Sequence, residues 1–283
     1  MTRAFSAIEL PRRTQRPRQR GLTMVLDKNL GLHGLQDLMD TAVDAVDLVK
    51  LGWGTSATQD DALVRRKCAL LAHHGVKVCP GGTLTELAWL QGCVDAYLDE
   101  ARRLGFSCIE VSDGTVDMPH AQKLLLIARA RAAGFTVTSE VGAKQRERDG
   151  RITLAERIRQ SELELDAGAW KVIVEARESG TQGIFDASGA TKHDLLHALA
   201  DRLGEEHLIF EAPQRQQQTD LILALGCDVN LGNIAPADVV GLETLRTGLR
   251  SDTMKHFHGE EPERRVMHHA PVPAEAVREA VQQ

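Results

Sequence analysis

Eight short runs rich in β-branched and apolar residues recur along the chain, with helix-like stretches between them. They are LTMVLD (22–27), VDLVKLG (46–52), VKVCPGG (76–82), CIEVSDG (108–114), FTVTSEVG (135–142), WKVIVEAR (170–177), HLIFEAP (207–213) and CDVNLGN (227–233). Their C-terminal ends fall about 19 to 36 residues apart, which leaves room for a crossover helix and two turns each time. Tight hairpins are thereby excluded, and the strands are expected to run parallel. Gly75, Gly105, Gly134, Gly168, Gly204 and Gly226 each fall between a helical stretch and the next strand, where a helix terminator belongs. Thr83–Glu86 and Thr153–Glu156 read as capping boxes at helix starts, and Pro119 and Pro236 suit first-turn positions.

Eight strand–helix units predict an α/β chain closed into a (β/α)8 TIM barrel, and 283 residues suit one such domain. An open doubly wound sheet would favour a GxGxxG turn after its first strand, whereas here Asp27-Lys28-Asn29 follows. The expected organisation is an Arg-rich flexible arm (1–20), a catalytic barrel (21–258) and a Pro- and charge-rich tail (259–283). The tail is placed to drape over the barrel or a neighbouring subunit, and a homo-oligomer is expected.

Composition removes several function classes. Net charge is −6 and aromatics make up 4%, so neither a phosphate-backbone binder nor a base-stacking platform is expected. Arg3, Arg12, Arg13, Arg16, Arg18 and Arg20 lack the apolar run of a signal peptide and read as a solvated arm. No apolar run reaches the ~18 residues of a membrane span. Five cysteines without a CxxC read as reduced thiols of a cytoplasmic protein, and neither histidine pair has zinc-ligand spacing.

The strands end in charges. Residues two apart share a strand face, which aligns Val25 with Asp27, Leu48 with Lys50, Cys108 with Glu110, Thr138 with Glu140, Ile173 with Glu175 and Arg177, Ile209 with Glu211, and Asp228 with Asn230. The opposite faces are mostly apolar and should meet the helices. The polar faces should therefore point into the barrel, toward the C-terminal mouth where such folds hold their chemistry. Unpaired buried carboxylates are far too costly, so Asp27, Glu110, Glu140, Glu175 and Glu211 need Lys50, Arg177, a cation or a bridging substrate. Oxygen donors favour a hard cation such as Mg²⁺. Lys28, Lys50, Lys144, Arg177, Asn230, Asn233 and Arg250 favour an anionic, phosphorylated ligand. Asn230–Asn233 leads to Pro236 at a helix start, a place for an anion. Residues 142–153 and 178–192 are long enough to act as lids.

The strings RGLTMVLDKNL, LVKLGWGTSA, KVCPGGTL, EVSDG, EVGAK, EARESG, IFEAPQ, VNLGNI and LETLRTGLRSDT, in this order over residues ~20–255, resemble the phosphosulfolactate synthase family. The resemblance implies a Mg²⁺-requiring (β/α)8 lyase that adds sulfite to phosphoenolpyruvate, giving (2R)-2-phospho-3-sulfolactate on the way to coenzyme M or sulfolactate. It implies Lys144, in the Gly-x-Lys loop after the fifth strand, as the acid, with Lys50 as alternate and Glu140 at the reacting centre. Ala143 stands where a second basic residue is expected. Glu140, Glu175 and Glu211 are the expected metal ligands, with Asp27 in reserve. Lys28, Lys50, Arg177, Asn230, Asn233 and Arg250 are expected to hold substrate anions. Two other readings stay open: a Schiff-base lyase or aldolase using Lys50 or Lys171, and a non-catalytic barrel that binds a phosphorylated metabolite.

Overall fold

In the computed structural model, residues 4–259 are described; Arg3 and the tail beyond Gly259 lie outside them. The strands are β1 (Thr23–Asp27), β2 (Leu48–Leu51), β3 (Lys77–Cys79), β4 (Cys108–Val111), β5 (Thr136–Val141), β6 (Lys171–Val174), β7 (Leu208–Glu211) and β8 (Leu231–Ile234). The helices are α1 (Leu32–Ala42), α2 (Asp61–His73), α3 (Gly82–Leu90), α4 (Val94–Leu104), α5 (His120–Ala132), α6 (Arg146–Asp149), α7 (Leu154–Asp166), α8 (His193–Leu203), α9 (Arg215–Leu225), α10 (Val239–Arg246) and α11 (Ser251–His258). All strand pairs are parallel, in the order β3-β2-β1-β8-β7-β6-β5-β4. The two end strands meet where Ser107 N donates to Val78 O at 3.2 Å and Val78 N donates to Ser107 Oγ at 3.0 Å. The sheet is thus a nearly closed (β/α)8 barrel. Among the described residues no helix is long and apolar enough to cross a membrane.

Strand alternation sorts the core into two layers. Met24, Leu48, Cys79, Cys108, Ile173 and Ile209 pack together inside the barrel. Val25, Val49, Val78, Ile109, Val137, Val172 and Phe210 face the helices, beside Leu35, Leu71, Ile127 and Leu199. In α4, Val94, Leu98 and Ala101 recur at helical spacing and are the buried ones, and Gly105 ends the helix in the left-handed region at φ 91°. Thr153 caps α7 by accepting from Glu156 N, as its sequence pattern predicts. Thr83 caps nothing: α3 begins at Gly82, after a Gly81 held at φ 77°, so Thr83 falls inside the helix.

The N-terminal segment is a clasp across the barrel floor, where the sequence reads as a flexible arm. Arg16 donates to Val43 O (2.7 Å) and Gly75 O (2.8 Å). Arg18 makes a bidentate bond to Asp47, whose Oδ2 also accepts from Thr23 N at 2.8 Å. Arg13 pairs with Asp228 and Glu243 and donates to Cys227 O. Nearby Arg246 is fully buried, donates to Cys227 O and Val229 O, and has its pKa lowered to about 9 by burial. These bonds satisfy carbonyls left open where helices end and strands begin.

Candidate active site

Five strands send one ionisable side chain each to the C-terminal mouth: Lys50 from β2, Glu110 from β4, Glu140 from β5, Glu175 just past β6, and Glu211 from β7. With Lys144, Arg177 and Asn233 they line one cavity of about 230 Å³, closed on the other side by Leu26, Trp53 and Gly81–Thr83. That volume is below the ~300 Å³ typical of drug-sized pockets, so the site suits small metabolites.

Lys50 is the hub. Its Nζ lies 3.1 Å from Glu110, 3.3 Å from Glu211 and 4.0 Å from Glu140. Burial opposes the ammonium charge, but Glu110, Glu211 and Glu140 outweigh it and hold the pKa well above the usual lysine value. Glu211 is engaged on both oxygens, since Oε2 also accepts from Ala176 N at 3.1 Å.

Glu140 and Glu175 behave as a second unit. Burial and the neighbouring Glu140 and Glu211 charges push Glu175 well above the carboxylate range. Burial also disfavours charge on Glu140, but Lys144 and Lys50 outweigh it, and its pKa is lowered. The two carboxyls therefore differ in proton affinity, with Glu175 the more readily protonated and Glu140 the more readily ionised. Glu140 Oε1 is buried without a hydrogen-bond partner. Two buried carboxyls side by side suit a divalent cation, whose charge offsets their mutual repulsion. Among the described residues no three His, Cys, Asp or Glu converge on one metal position.

Lys144 reaches the same cavity with its side chain 30% exposed, 3.9 Å from Glu86 Oε1. Burial works against its charge, but Glu140, Glu86 and Glu175 overcome that and raise its pKa. The loop carrying it is pinned: Asp149 accepts from Ala143 N (3.1 Å), Gly183 N (3.3 Å) and Arg157 (2.6 Å). This carboxylate ties the two long loops together. Arg177 Nη1 donates to Lys144 O at 2.9 Å. Glu86 escapes sequence reasoning because its spacing mimics a capping box. It is buried in α3 and accepts from Ser112 Oγ at 2.5 Å and Thr115 N at 3.1 Å, fixing the loop opposite Lys144.

Backbone strain concentrates here. Among the described residues, the non-glycine positions with positive φ are Phe5, Trp53 (57°), Arg177 (63°) and Asn233 (56°), and the last three all line the cavity. Such conformations cost on the order of 1–3 kcal/mol each and persist where the site needs them. In β8 the register slips: Thr23 pairs with Leu231, but Val25 pairs with Ile234. This bulge brings Asn233 to the cavity beside Gly232.

Four expected site residues lie elsewhere. Asp27 is on the outer face of β1, 2.6 Å from Lys67 of α2, because Met24 and not Val25 points into the barrel. Asn230 precedes β8 at the floor, where it accepts from Leu22 N and donates to Leu208 O; the strand starts at Leu231, so 227–230 never reach the mouth. Arg250 precedes α11, 3.6 Å from Asp252, because α10 has already carried the chain to the outer layer. Lys28 is beside the mouth but off the cavity lining, ion-paired with Glu178.

A family model described as (2R)-phospho-3-sulfolactate synthase (ComA) matches residues 11–252. The chain is 45% identical over 245 residues to a phosphosulfolactate synthase of Methanothermobacter thermautotrophicus, covering 86% of this chain and 95% of the relative. It is 38% identical over 248 residues to that of Bacillus subtilis, covering 87% and 97%. In fold alone it is similar to 3-hexulose-6-phosphate synthase from Salmonella typhimurium, with a TM-score of 0.50, 16% identity, and coverage of 80% of this chain and 98% of that one. The match of the family model to most of the barrel, together with these relatives, establishes that the chain belongs to the phosphosulfolactate synthase (ComA) family of lyases.

Proposed function

We propose that the mouth cavity joins sulfite to phosphoenolpyruvate, with Mg²⁺ held by Glu140 and Glu175. The observation that carries this reading is the buried Glu140–Glu175 pair, with its unpartnered Oε1, in one small cavity with Lys144 and Arg177. When bound, Mg²⁺ supplies Lewis-acid stabilisation of the carboxylate charge that grows during the addition.

The sulfur lone pair of sulfite forms a bond to the methylene carbon C3. The π electrons of the double bond move to C2 and into the carboxylate. Lys144 then gives a proton to C2 from one face, and solvent returns a proton to the amine. Arg177 orients an anionic oxygen. Leu26 and Trp53 form the apolar wall that limits water. Glu110 and Glu211 seat Lys50 as a fixed positive charge beneath the substrate.

This arrangement disfavours the Schiff-base alternative. Lys50 is held as an ammonium by three carboxylates and is a poor nucleophile. Lys171 begins β6, at the opposite end of the barrel, and donates to Gln19 O and Glu206 O.

The test mixes purified protein, phosphoenolpyruvate, sulfite and Mg²⁺ and follows phosphorus NMR. A new phosphate ester that needs sulfite and disappears with EDTA is expected. No new ester, or one formed equally well in EDTA, refutes the reading.

A further inference from the structure

At the lip of the cavity, Lys28 and Glu178 have no part in the reaction steps above. Lys28, just past β1, forms an ion pair with Glu178, past β6, so the pair links loops from non-adjacent strands. The Lys28 ammonium also lies 4.7 Å from the ring centroid of Trp53, past β2. Trp53 and Glu178 line the cavity, and Lys28 does not.

Stability does not account for this cluster. The Lys28 and Glu178 side chains are 35% and 52% exposed, and ion pairs that open to water are worth at most about 1 kcal/mol. Trp53 is 53% exposed and held at φ 57°, so it gains little burial in exchange for a strained backbone. Electrostatics accounts for it better. Glu178 places a negative charge on the lip of a cavity that has to admit two anions, and Lys28 cancels that charge while holding the indole by cation–π attraction.

We infer that Lys28 is a positioning residue: by pairing with Glu178 it keeps the lip of the mouth electrically neutral toward anionic substrates without touching them. The inference rests on the reading of the cavity as the place where phosphoenolpyruvate and sulfite meet.

The test is steady-state kinetics of the full chain with Mg²⁺, varying phosphoenolpyruvate at saturating sulfite. Lys28→Met is expected to raise KM about tenfold, through Glu178 repulsion left unscreened, with kcat within about twofold. The defect shrinks as salt is added. Lys28→Met/Glu178→Gln returns KM to within about twofold of the parent, and Lys28→Arg keeps it there. Glu178→Gln alone does not raise KM. A double variant as impaired as Lys28→Met overturns the inference, because the effect of Lys28 then does not run through the Glu178 charge. An unchanged KM in Lys28→Met also overturns it. Absence of turnover in the parent protein is a separate result, which removes the functional reading and this inference with it.

Discussion

Asp27, at the end of β1, and Lys67, in α2, form an ion pair 2.6 Å long in which each side chain is only 1% exposed. Asp27 Oδ1 also accepts from Asn29 N and Leu30 N, so this carboxylate fixes the turn into α1. Removing one partner leaves a buried charge uncompensated. Asp27→Asn is expected to lower unfolding free energy by about 3–5 kcal/mol, read from urea titration. The apparent Mg²⁺ affinity of the folded fraction stays unchanged. A large loss of Mg²⁺ affinity with unchanged stability would return Asp27 to the metal site.

The way Asp27 misled the sequence reading shows what alternation can encode. In β4 to β7 one face is mostly apolar and the other ends in a carboxylate, so inside and outside are distinguishable from sequence. In β1, Met24, Val25 and Leu26 are apolar on both faces, and the pattern cannot choose between the registers. The eighth strand fails for another reason. A bulge at Gly232–Asn233 breaks the period of two, and Asp228 and Asn230 satisfy groups on the floor. Arg13, Arg16 and Arg18 look solvated because many of their acceptors are backbone carbonyls, which carry no side-chain signature. What the sequence does reveal is the barrel and its mouth, through Lys50, Glu110, Glu140, Glu175 and Glu211.

Glu140→Gln and Glu175→Gln should differ from Glu211→Gln. Either of the first two is expected to lower kcat about 10²–10³-fold and to raise the Mg²⁺ concentration needed for half activity. Glu211→Gln leaves Lys50 with one fewer carboxylate, so its main effect is on stability. Mg²⁺ titrations of initial rate, paired with thermal melts, separate the two outcomes. Equal Mg²⁺ requirements in all three variants would contradict the assignment.

Lys144 and Lys50 are both in the cavity, but only Lys144 combines access to substrate with less than complete enclosure by carboxylates. Lys144→Met is expected to reduce kcat about 10²–10⁴-fold, the usual range for general acid catalysis, with little change in melting temperature. Lys50→Met leaves Glu110, Glu140 and Glu211 facing one another, so the folded state weakens along with activity. A Lys144→Met protein with near-parental kcat would transfer the acid role elsewhere.

Behind the site, Glu164 of α7 lies 2.9 Å from Lys123, which donates in turn to the Glu140 carbonyl at 2.6 Å and to Asp113 at 3.0 Å. Burial disfavours charge on Glu164, but Lys123 and the hydrogen bond from His120 outweigh it and lower its pKa in the fold. A carboxyl with a depressed folded pKa binds more protons when unfolded. Its contribution is therefore complete above the unfolded value of about 4.3 and lost as pH falls through the lower folded value. Glu164→Gln is expected to lose about 3 kcal/mol at pH 7, with the gap to the parent protein narrowing as pH drops below about 4.5. Urea unfolding at a series of pH values between 7 and 3.5 checks this. A gap that stays constant across the series would show that Glu164 contributes by shape and not by charge.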